Sequence, residues 1–177
     1  GANAQQEYLN GETPLMMAVD NGDADMAEML LNQKVNPDHL DENEETALMV
    51  ASLERNGKMA ELLMEYGADP DLQNEDGQTA LMFAVSDQDY EFYEPYTMKR
   101  KNKKQPDEKK EVKLHPKDLR SRCQMIKVLI DNGADPYIQN EMGESALTMA
   151  VEMGSSEMVK LLIEDSTHTA LMVAVDD

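Results

Sequence analysis

The sequence predicts an all-α helical solenoid built from small two-helix units, and three observations predict it. A six-residue phrase recurs at a fixed interval, an apolar stretch with helical spacing follows most copies, and glycines close those stretches at matching places. The phrase is Thr13-Pro14-Leu15-Met16-Met17-Ala18, then Thr46-Ala47-Leu48-Met49-Val50-Ala51, then Thr79-Ala80-Leu81-Met82-Phe83-Ala84. Ser145-Ala146-Leu147-Thr148-Met149-Ala150 and Thr169-Ala170-Leu171-Met172-Val173-Ala174 complete the series. The first two intervals are 33 residues and the third is 66. Such a period marks units that cannot bury an apolar face alone and must stack to do so.

Each unit reads in the same order. Thr or Ser caps a short first helix, and Pro14 suits the first helical position, where its missing N–H costs nothing. The small Ala lets a neighbouring helix come close. A second helix carries larger apolar residues: Met26, Met29, Leu30 and Leu31 in the first unit, and Met59, Leu62 and Leu63 in the second. Met125, Val128, Leu129 and Ile130 serve the third, and Met158, Leu161, Leu162 and Ile163 the fourth. Gly67 and Gly133 stop their helices in the left-handed conformation. Ala68-Asp69-Pro70 and Ala134-Asp135-Pro136 follow, and the polar stretches Asp71 to Gly77 and Tyr137 to Gly143 turn into the next unit. Asp76-Gly77 suits a tight turn.

The unit resembles the ankyrin repeat. The period of 33, the Thr-x-Leu-x-x-Ala opening and the Leu-Leu…Gly-Ala-Asp segment are all in register. The resemblance implies helix–turn–helix units joined by β-turn fingers, with binding through finger tips and the concave face of the first helices. The family's His is replaced by Met16, Met49, Met82, Thr148 and Met172, so its role in tying the helix start is expected to go unfilled by Met. Lys34-Val35-Asn36-Pro37 replaces Gly-Ala-Asp, Glu44 stands at the turn Gly, and Arg55-Asn56-Gly57 surrounds the interhelical one. Local turn geometry is expected to differ there.

The 66-residue interval holds an extra segment, residues 89–121, whose +3 charge contrasts with −23 for the rest. Its aromatics are Tyr90, Phe92, Tyr93 and Tyr96, and its basic run is Lys99, Arg100, Lys101, Lys103 and Lys104. A decayed repeat is the competing reading, but Pro95 and Pro116 would break its helices. An insertion between the two helices of the third unit fits better, with Pro116 opening a long helix that aligns Leu119, Cys123, Ile126 and Ile130. The insert reads as a solvated loop, a docking arm, a mask over the acidic face, or a basic import signal.

The organisation expected is thus a lead-in over 1–10, repeats 1, 2 and half of 3 over 11–88, the insert over 89–121, the remainder of repeat 3 with repeat 4 over 122–165, and a terminal half-repeat or cap over 166–177. Ser166-Thr167-His168 leaves the last finger nine residues short. An open final half-unit would favour self-association. Ala2-Asn3-Ala4 looks like a signal-cleavage end, which favours an exported, periplasmic location over a cytoplasmic or nuclear one.

Composition bounds function. Net charge is −20 over 177 residues, which argues against nucleic-acid binding and adhesion to anionic membranes, and for a basic or mixed-charge protein partner. The lone Cys123 excludes an intrachain disulfide and reads as a buried thiol. Many of the 15 Met fall at core positions and read as adaptable packing, with Met26 and Met29 as a soft-metal pair the sharper alternative. His39, His115 and His168 join no motif with Cys123, and no phosphate loop, metalloprotease helix or nucleophile elbow occurs. Neither catalysis, nor a metal site, nor a cofactor is expected.

Carrying the family pattern over gives a candidate partner-binding face. Before the first helices stand Glu12, Glu45, Gln78 and Glu144. At their ends stand Asp20 and Asn21, Leu53 and Glu54, Ser86 and Asp87, and Glu152 and Met153. The fingers add Asp41, Glu42, Glu75, Asp76, Glu141 and Met142. The function expected is a non-catalytic interaction scaffold. The alternatives are a regulatory or inhibitory subunit of an enzyme and a self-associating structural element.

Overall fold

The computed structural model describes residues 11–86 and 116–164. Among them are eight helices: α1 (Pro14–Asp20), α2 (Ala24–Asn32), α3 (Ala47–Leu53), α4 (Gly57–Glu65), α5 (Ala80–Val85), α6 (Pro116–Asp131), α7 (Ala146–Glu152) and α8 (Ser156–Glu164). They pair as α1/α2, α3/α4, α5/α6 and α7/α8. The first helices pack on one another in the order α1, α3, α5, α7, and the second helices in the order α2, α4, α6, α8. The result is two columns, with the hydrophobic core running between them. Asp87 and residues 89–115 fall between α5 and α6 and lie outside the described residues, as do Ala2-Asn3-Ala4, Ser166-Thr167-His168 and the final phrase.

The helix starts follow the sequence closely. Thr13, Thr46 and Ser145 are extended N-caps whose hydroxyls accept from the backbone N–H of Met16, Met49 and Thr148. Thr79 has the same backbone but makes no such bond. Met82 N instead donates to the Thr79 carbonyl at 3.0 Å, so a tighter first turn takes the donor that the hydroxyl takes elsewhere. The expectation that Met leaves the family's His role unfilled needs correction at Met49. Its sulfur accepts the Thr46 backbone N–H at 3.5 Å, completing a reciprocal cap. Thr148 does the same for Ser145 at 2.7 Å.

The turns at the substituted positions also keep their geometry. Lys34, Glu44 and Arg55 have φ of 60°, 58° and 54°, in the left-handed region where Gly67, Gly77 and Gly22 sit elsewhere. The stack imposes the conformation, and each side chain bears a local cost of about 1 kcal/mol relative to glycine.

The core is Leu15, Leu48, Leu81, Met59, Leu63, Met125, Leu129, Met158 and Leu162 with small alanines between them. The expectation that Met26 and Met29 are core residues does not hold. Met26 is 49% exposed and Met29 66%, while Met59, one period on from Met26, is fully buried. Helical periodicity identifies the face, but α2 has no earlier second helix among the described residues to cover it. Cys123 is half-buried against the core, and burial followed by Glu157 pushes its thiol pKa up.

Candidate protein-binding face

Three fingers, numbered second to fourth after the unit each one opens, share one construction. Asp41, Asn74 and Asn140 each accept two backbone N–H groups through Oδ1: from Asn43 and Glu45, from Asp76 and Gln78, and from Met142 and Glu144, at 2.8–3.1 Å. Each also donates its own N–H to the carbonyl four residues on. A short polar side chain thus fixes each turn and frees its tip residues for solvent.

The fingers also join each other. Glu75 N donates to Asn43 O at 3.4 Å and Glu141 N to Asp76 O at 3.0 Å. Gln73 Nε2 donates to Gln139 O at 2.9 Å. At their base, Asp69 N donates to Asp38 Oδ1 at 2.9 Å and Asp135 N to Asp71 Oδ1 at 2.8 Å. The third and fourth fingers are therefore direct neighbours although the interval between their units is doubled. The row is continuous across the doubled interval.

Of the finger residues singled out, Glu42, Glu75, Asp76, Glu141 and Met142 are exposed, Met142 at 71%. Asp41 and Glu45 are buried and serve the finger's interior. Glu12, Gln78 and Glu144 are half-buried before the first helices. At the helix ends Asp20, Asn21, Glu54 and Glu152 are exposed and Leu53, Ser86 and Met153 half-buried. Asp87, Tyr90, Phe92, Tyr93, Tyr96, Lys99, Arg100, Lys101, Lys103 and Lys104 lie outside the described residues.

Sequence reasoning missed the aspartates at the finger bases. Burial, then the neighbouring Asp69, raises the pKa of Asp38, against a backbone hydrogen bond that lowers it. Asp71 is raised in the same way, by burial and by Asp135 and Asp69. Glu45 is raised to about 7 by burial first and then Asp41, with Asp76 and Glu75 adding to it. The signal was present as Pro37-Asp38 and Pro70-Asp71, repeated at 33 residues. Exposed Leu40 and Tyr137 supply apolar area beside the acids and were also missed. Among the described residues no His, Cys, Asp and Glu cluster could hold a metal ion, and no helix is long and apolar enough to cross a membrane.

The family model for ankyrin repeats (3 copies) matches residues 1–74 and 119–177, and that for ankyrin repeats (many copies) matches residues 58–92. The chain belongs to the ankyrin-repeat family. Ankyrin repeats generally mediate protein–protein interaction, and proteins built from them are typically non-catalytic scaffolds. No curated protein matches the chain.

Proposed function

We propose that this ankyrin-repeat protein is a non-catalytic scaffold that holds a basic or mixed-charge protein segment along the finger row and the adjoining first-helix ends. The observation that carries this reading is the continuous row itself, in which carboxylates outnumber every other group and in which burial, then neighbouring acids, raises Asp38, Glu45 and Asp71. Like charges fixed side by side are costly alone and favour a cationic partner that neutralises them. Leu40, Tyr137 and Met142 would give such a partner its apolar contacts.

The test is capture from a lysate of the source organism at rising salt. A partner bound by this row is released between low and moderate ionic strength, and a chain lacking residues 89–121 captures it equally. Salt-independent capture, or capture that needs residues 89–121, contradicts the reading and makes the insert the docking arm.

Self-association is a second reading with its own observation. Val151 is 58% and Ile163 44% exposed at the last described unit, whereas the matching Val19, Val85, Leu31 and Ile130 are buried. Sedimentation velocity over a hundredfold concentration range checks it: a concentration-independent monomer rules it out.

A further inference from the structure

The second finger departs from its neighbours at one chemical point. In the third and fourth fingers the cradle residue is an asparagine, and its amide does two jobs. Its oxygen accepts two backbone N–H groups, and its Nδ2 donates to the side chain four residues on: Asn74 to Gln78 Oε1 at 3.4 Å, and Asn140 to Glu144 Oε2 at 3.2 Å. In the second finger the cradle residue is Asp41 and the residue four on is Glu45. An aspartate accepts the backbone bonds equally well but has no amide to donate. Two carboxyl groups therefore stand where the other fingers place a donor and an acceptor.

This pair is not solvated. Asp41 is 8% exposed and Glu45 3%. Glu45 Oε1 is buried and has no hydrogen-bond partner among the described residues. The groups that face Glu45 are Asp41 on its own finger and Asn74, Glu75 and Asp76 on the third. Asn74 favours its charged form, and the three carboxylates oppose it. Two buried carboxylates sharing a site cannot both ionise without a large cost, and a proton between them restores the missing donor.

We propose that Glu45 holds a proton that takes the place of the asparagine amide beside Asp41 and makes the second finger, with its junction to the third, a proton-linked element. The proton resides on Glu45, whose Oε1 has no other partner among the described residues, while Asp41 Oδ1 already accepts two backbone N–H groups. Loss of that proton leaves two adjacent buried anions. Their repulsion acts on the junction held by the Glu75–Asn43 bond, which at 3.4 Å is longer than the 3.0 Å bond of the next junction. This inference does not rest on the identity or charge of any partner.

The sign follows from linkage. The folded pKa of Glu45, about 7, exceeds the ordinary 4.5, so the protonated form contributes stability that is fully present below about pH 4.5 and is lost as pH rises through about 7.

The experiment is carbon-13 NMR of the glutamate carboxyls in the full chain between about pH 4 and pH 9, with Glu45→Gln to assign the resonance. One carboxyl titrating near pH 7, absent in Glu45→Gln, is expected. Asp41→Asn supplies the amide donor and lowers that midpoint by about one pH unit or more. Thermal melting should fall as pH rises toward 8 in the wild type and flatten over that interval in Glu45→Gln. A Glu45 midpoint in the ordinary carboxylate range overturns the proposal, as does a midpoint that Asp41→Asn leaves unmoved. Should Asp41→Asn not fold, the wild-type midpoint and the Glu45→Gln melting curve still decide.

Discussion

The Arg122 guanidinium donates a 2.9 Å hydrogen bond from Nη1 to the backbone carbonyl of Val85, from inside the protein, where Arg122 is 1% exposed. In the other units this carbonyl is served by the backbone: Gly22 N to Val19 O, Arg55 N to Ser52 O, and Gly154 N to Val151 O. Arg122 itself stands at the position of Asp23, Asn56 and Ser155, which cap their second helices. In the third unit α6 starts seven residues earlier than that position demands. The cap is then unnecessary, and the side chain is released to serve the end of α5. One arginine thus reconciles the doubled interval with an unbroken helix column.

Arg122→Met should therefore cost about 2 kcal/mol or more, the range for a buried hydrogen bond to a charged group. Urea denaturation of the full chain measures it. A loss under about 0.5 kcal/mol would mean that the turn closes without this bond.

Glu44 and Gly77 occupy the same turn position with opposite fit. A Cβ at Gly77 would come within 2.9 Å of Glu141 N on the next finger, and φ there is +74°. Glu44 carries such a Cβ at φ 58°, and its finger has the longer contact to its neighbour. Glu44→Gly should raise stability by about 0.5–1 kcal/mol, while Gly77→Ala should lower it by about 1 kcal/mol or more. Paired thermal melts decide. Equal effects of one sign would show that crowding between fingers is not at issue.

Met49 is fully buried and its sulfur caps Thr46 N. Met49→Leu keeps the volume and loses the acceptor, so it should cost about 1 kcal/mol. Met49→Ala adds a cavity and should cost about 2–5 kcal/mol. Chemical denaturation of both variants checks the order.

The net charge of −20 predicts a response to salt. Screening of like charges should raise Tm on going from about 20 mM to about 500 mM sodium chloride. A Tm that falls over this range would show that attractive pairs such as Lys127–Asp131, at 3.2 Å, outweigh the repulsion.

The fold was legible because the Thr-x-Leu-x-x-Ala phrase carries both a cap and a core face, and its spacing names the stack. The helix that Pro116 opens was legible for a similar reason, since proline suits a first turn. Other features depend on neighbours that periodicity does not reveal. Met26 and Met59 are alike in register, yet Met59 has α2 beside it and Met26 is open to solvent. Asp41 and Glu45 look like surface acids in a polar turn. The Oδ1 cradle that fixes the turn draws Asp41 inward, and Glu45 is buried with it. Lys34, Glu44 and Arg55 argued for altered turns, but the backbone hydrogen bonds that close each turn, to Leu31 O, Asp41 O and Ser52 O, outweighed the local preference.

The most direct test of the finger row as the binding face is a charge reversal at its tips. Glu42→Lys, Glu75→Lys and Glu141→Lys change exposed side chains and leave the buried cradle of Asp41, Asn74 and Asn140 intact. The triple variant should melt within a few degrees of the wild type and lose at least tenfold in affinity for the partner that the wild type captures at low salt. Unchanged affinity in a folded triple variant would contradict the account and move the binding face off the fingers.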